Sequence, residues 1–170
     1  MPFGSIGSSG SGAVPSQGWQ FLIRIVGDGT SDTLESGVLT SFDNFLIIFK
    51  KRSAINENHR IQFNKSGGVA YDQTVMENVT VGSNTGLASS PLLTTAGAAD
   101  VDLKIHVFNQ PATEPKTIAT IGAKSNSLMV TGMCRWNQAV DLITQIDIIT
   151  NAGGLYTSAD SMAIFGMNNS

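Results

Sequence analysis

Between Val101 and Val107 every second residue is apolar: Val101, Leu103, Ile105 and Val107 alternate with Asp102, Lys104 and His106. Side chains of an extended chain point to opposite faces in turn, so this spacing predicts a strand with one buried face. The same period runs through WQFLIRIV, where Trp19, Phe21, Ile23 and Ile25 share a face. That stretch stops at Gly27-Asp28-Gly29, a turn signal. In FLIIFKK (45–51) both faces are apolar, which predicts a central core strand. Met162 to Met167 is apolar nearly throughout and is expected inside a two-layer fold rather than at its edge. Leu142 to Thr150 sets Ile146, Ile148 and Thr150 on one face and Gln145, Asp147 and Ile149 on the other.

Weaker patterns fill the gaps. Thr33 to Thr40, His59 to Asn64 (with Ile61 and Phe63 inward) and Thr74 to Val81 read as strands. Thr117 to Ala123 and Ser127 to Cys134 read as a hairpin around Lys124 to Asn126, and Asn137 to Val140 as one helical turn. Residues 82–99 are expected to form a long uncharged loop, a kind of segment that usually makes contacts. Short strands at regular spacing with turns between them predict an all-β, antiparallel β-sandwich. A jelly roll is favoured over an immunoglobulin-like arrangement, because the Cys…Trp…Cys signature is missing and the chain exceeds about 100 residues.

Residues 1–18 break the pattern. They form a Gly/Ser-rich stretch with Phe3, Ile6 and Val14 as its apolar anchors, expected to be an extended arm ahead of a sandwich domain at 19–170. Composition is globular at 41% hydrophobic, but only 14% of residues are charged where about 25% is usual. Solubility therefore rests on Ser, Thr, Asn, Gln and Gly, a surface suited to packing against neighbours. A net charge of -3 argues against nucleic acid as a partner, since phosphate binding needs clustered Lys and Arg. The basic run Lys50, Lys51, Arg52 is expected to mark a solvated strand edge. No stretch of 18 apolar residues predicts a membrane span. Nor does the N-terminus carry the charged-then-apolar pattern of a secretory signal.

Little in the chain suggests chemistry. His59 and His106 lack acidic residues at a fixed spacing, and two His with the single Cys134 make a poor ligand set, so no metal is expected. Asp28, Thr30 and Asp32 lack the closing Glu of a calcium loop and read as a turn. Asp100 and Asp102 fall on one side of a strand; a paired acid/base role is conceivable, but a solvated face is expected. Cys134 is expected to be a small buried hydrophobe. Trp19 and Trp136 border hydrophobic strands and are expected in the core, whereas Tyr71 and Tyr156 fall in apparent loops and are available for stacking on a sugar. No catalytic residue and no cofactor are expected.

The order of several phrases is informative together: Gly18-Trp19, FLIIFKKRS (45–53), RIQFN (60–64) followed by Tyr71, Trp136-Asn137, ITQIDI (143–148) and a closing AIFGM (163–167). In this the chain resembles, over roughly residues 18–167, a loosely defined group of tailed-bacteriophage virion structural, minor structural or fibre proteins. Where that group often has Tyr before the last Gly, this chain has Phe165. The resemblance implies a non-enzymatic virion protein assembled in the bacterial host cytoplasm. The leading expectation is a capsid decoration or cement protein, a homo-oligomer, most simply a trimer, that contacts the major capsid protein or other virion proteins. Phe3, Ile6 and Val14 of the arm and Leu87, Leu92 and Leu93 of the 82–99 loop are then the candidate contacts. The alternative is a tail-fibre or head-fibre module recognising host surface glycans through Tyr71 and Tyr156.

Overall fold

The structure, a computed structural model, describes residues 18–65, 71–77, 80–87, 92–94, 99–109, 115–125, 129–137, 141–150 and 153–169. The arm, with Phe3, Ile6 and Val14, and the helical turn expected at 137–140 lie outside these apart from Gly18 and Asn137. Twelve strands follow in order: β1 (Gln20–Val26), β2 (Thr33–Glu35), β3 (Asn44–Lys51), β4 (His59–Phe63), β5 (Tyr71–Glu77), β6 (Thr80–Leu87), β7 (Leu92–Thr94), β8 (Val101–Phe108), β9 (Lys116–Lys124), β10 (Met129–Trp136), β11 (Ile146–Thr150) and β12 (Ser161–Met167). Among the described residues there is no helix.

The strands make two antiparallel sheets, ordered β1-β12-β3-β8-β9-β10-β5-β6 and β2-β11-β4-β7. Setting aside the β5–β6 and β9–β10 hairpins exposes a simple rule in the remaining eight. First pairs with last (β1 with β12), second with second-last (β2 with β11), third with β8, and fourth with β7. This is a long hairpin rolled up on itself, which is the jelly roll. Both additional hairpins extend the larger sheet beyond β8. β3 and β12 are interior strands, as their continuous apolar runs predict.

The sheets face each other across one core. Phe63 of β4 lies 5.7 Å from Trp136 of β10 and 6.4 Å from Tyr71 of β5, and Phe49 of β3 lies 5.5 Å from His59 of β4. Val101, Leu103, Ile105 and Val107 are all buried, as their alternation requires. Polar side chains stitch the segments that cross between sheets. Asn109 donates to the Phe42 carbonyl (2.8 Å) and accepts from the Ile143 amide (2.9 Å). Asn64, at a φ of 49°, uses its Oδ1 to accept amide protons from Thr144 and Gln145.

Several expectations need correcting. The strand expected at Thr74–Val81 is the tip of the β5–β6 hairpin, and the long loop at 82–99 contains most of β6 and all of β7. β6 (TVGSNTGL) carries no alternation, so pattern could not reveal it. Only Thr33–Glu35 and Ile146–Thr150 of two longer predicted strands pair. Lys51 is not at a solvated edge: β3 is interior, and the Lys51 side chain is fully buried with its Nζ donating to the Ala99 carbonyl at 2.9 Å. Burial pulls its pKa down.

Candidate interaction surface

The inner face of the larger sheet is spent on the core, so the chemistry left to consider lies on its outer face. Strand registers set out that face row by row. One row runs Phe21, Phe165, Leu46, His106, Ala119, Met133, Thr74. The next runs Arg24, Ala163, Ile48, Lys104, Ile121, Thr131. Large apolar side chains stand out from it: Phe21 is 61% exposed, Met129 60%, Ile121 55% and Met133 55%. Over β9 and β10 the surface dips into a shallow groove of about 350 Å³ lined by Thr74, Ala119, Ile121, Thr131 and Met133, with no charged residue.

Charge on this face falls in the second row, at Arg24 and Lys104, and toward the strand ends. Arg135 pairs with Asp72 at 3.0 Å. Arg52 grips both Asp102 oxygens (2.8 and 2.7 Å) and approaches Asp100 at 3.8 Å. The exposed apolar side chains thus cluster over β9 and β10, beside Lys104 of β8. Sequence reasoning missed Ile121, Met129 and Met133. Their signal was present: β9 and β10 carry large apolar residues on both faces (Ile118 and Ile121, Val130 and Met133), and in a two-layer fold only one face meets the core.

The candidate residues named from sequence are scattered. Tyr71 and Tyr156 are both fully buried, which removes them as glycan contacts, although Tyr156 does lie in the loop between β11 and β12. Tyr71 opens β5, and its hydroxyl accepts from the Phe63 amide at 3.3 Å. Tyr156 meets His59 Nδ1 at 2.8 Å, and burial pushes its phenol well above the ordinary value. Trp136 is in the core as expected, but Trp19 is 38% exposed and lies on the outer face. Leu87 ends β6, and Leu92 and Leu93 lie in β7 of the smaller sheet, away from the outer face in the strand order. Cys134 is half-buried, and desolvation followed by the Asp72 charge raises its thiol pKa.

Asp100 and Asp102 are both engaged by Arg52, and Asp102 also borders an open groove of about 420 Å³ shared with Lys50, Lys104 and Ile121. Asp28 Oδ1 accepts the amides of Thr30 and Ser31, the geometry of a turn. Among the described residues no group of three or more His, Cys, Asp or Glu could hold a metal ion. No protein-family model and no curated protein matches the chain.

Proposed function

We propose that this chain is a bacteriophage virion structural protein without catalytic activity, a decoration protein that stabilises a capsid as a homo-oligomer of three copies. The observation that carries this reading is the outer face of the eight-stranded sheet, whose Ile121, Met129, Met133 and Phe21 project into solvent. Jelly rolls recur in viral capsid and lectin domains, which supports the reading by analogy alone. Seven interstrand spacings of about 4.8 Å and a strand length of about 23 Å give this face roughly 780 Å². One side of a standard protein interface covers about 800 Å². Burying apolar surface at about 25 cal/mol per Å² supplies the gross driving force, reduced by the cost of ordering the partners.

The test is binding to intact phage heads, with Ile121→Asp and Met133→Asp combined in one variant. Both side chains are more than half exposed, so folding should be preserved while head occupancy falls at least about tenfold, as expected when charges are buried unpaired in an interface. Undiminished occupancy by the folded variant, or no association of the parent protein with heads, refutes the reading.

A further inference from the structure

The outer face carries its charge unevenly. On its rows the cations Arg24, Lys50, Lys104 and Arg135 outnumber the anions Asp72 and Asp102, although the whole chain has a net charge of -3. Both anions are engaged. Asp72 pairs with Arg135, and Arg52 holds both Asp102 oxygens (2.8 and 2.7 Å). Arg24, Lys50 and Lys104 are exposed, and none of them joins a salt bridge among the described residues. Two of these cations are neighbours. A third row of the face runs Val26, Ser161, Lys50, Asp102, Ala123, Met129. Lys50 therefore lies opposite Asp102, and Lys104 lies opposite Ile48, two residues along. Such diagonal positions are about 7–8 Å apart. Both lysines border the open groove of about 420 Å³, which Ile48, Ile121 and Ala123 also line. Because Arg52 has taken the carboxylate that faces Lys50, two ammonium groups are left beside a largely apolar recess.

We infer that this groove receives a carboxylate side chain of the capsid partner, an Asp or Glu two residues from a large apolar residue on an extended segment. The inference rests on the decoration reading and names the chemistry that its partner presents. The carboxylate lies between Lys50 and Lys104, whose ammonium groups donate to it. Residues two apart in an extended segment share a face at about 7 Å, so the apolar side chain reaches Ile48 and Ile121. These flank Lys104 on either side in register. Opposite charge sets the register of the two proteins, and the isoleucines supply apolar area. Nucleic acid fits this face less well. A duplex binder neutralises about 6–10 phosphates, whereas Arg24, Lys50 and Lys104 stand among isoleucines on a chain of net negative charge.

The test measures occupancy of intact phage heads by the full-length parent and three double variants. These are Lys50→Glu with Lys104→Glu, Lys50→Gln with Lys104→Gln, and the control Val38→Glu with Leu155→Glu. The control positions are exposed and lie outside the rows of this face, and the control changes net charge by as much as the Gln pair. Occupancy is expected to fall at least about tenfold with the Glu pair and about threefold with the Gln pair, while the control keeps the parent value. If urea titration shows that the Glu pair beside Asp102 weakens the fold, the Gln pair against its control decides alone. Parental occupancy by the Gln and Glu pairs, with Ile121→Asp and Met133→Asp still releasing the protein, overturns the carboxylate assignment and leaves the decoration reading standing. Equal losses from the Gln pair and the control trace to net charge and overturn it too. Displacement of the parent from heads by a DNA duplex of about 30 base pairs at physiological salt overturns it in favour of phosphate recognition. No association of the parent with heads overturns both readings.

Discussion

Acid should unfold this protein through one histidine. His59 is 1% exposed, with its Nδ1 2.8 Å from the Tyr156 hydroxyl and its ring stacked near Phe49 and Tyr156. Burial first, and the Lys51 charge second, lower its pKa from 6.5 to about 4. The folded value lies below the unfolded one, so the contribution is complete above about pH 6.5 and is lost as pH falls towards 4. At about 1.36 kcal/mol per unit, the loss approaches 2 kcal/mol at pH 5 and about 3 kcal/mol at pH 4. Asp147 acts in the opposite sense, since burial raises its pKa and protonating it relieves the folded state. Asp160 is pushed up by burial but held below 3.8 by amide donors from Thr157, Arg52 and Ser53, so its loss falls at lower pH. Urea titrations between pH 7 and pH 5, with His59→Gln alongside, isolate the histidine. The parent should lose about 2 kcal/mol more over this window than the variant. Equal slopes for the two proteins would refute the picture of a ring kept neutral by burial.

Other substitutions test the packing directly. A methyl group at Gly122 would run into the Asp102 carbonyl and the Leu103 side chain, so Gly122→Ala should lower the urea midpoint by the equivalent of about 1–3 kcal/mol. Asn109→Ala strands the buried Ile143 amide and the Phe42 carbonyl and should cost about 3 kcal/mol in the same assay. The raised Cys134 thiol pKa predicts alkylation by iodoacetamide at pH 8 far slower than that of a free cysteine, with the normal rate restored in urea.

Period-two patterning was enough to define the class of fold and several of its strands. Val101 to Val107 and Phe45 to Lys51 could be placed because alternation and continuous apolarity are local properties that burial imposes directly. Tyr71 and Tyr156 could not be placed. The flanking Gly residues read as loop, yet each ring enters the core beside partners remote in the chain, Trp136 across the strand pair from Tyr71, and His59 and Phe49 around Tyr156. Lys51 was misread for a similar reason, since a basic run looks solvated until the Ala99 carbonyl closes over it.

Strand order was decided only by the folded chain. Pairing of β1 with β12 joins the two ends of the domain, and no local pattern encodes a contact across some 140 residues. The same holds for the outer face: residues on β9 and β10 showed apolar character on both sides, but which side met water depended on where the second sheet ended. Local periodicity says that a side is apolar. Only the stacking of one layer on another says whether that side is covered.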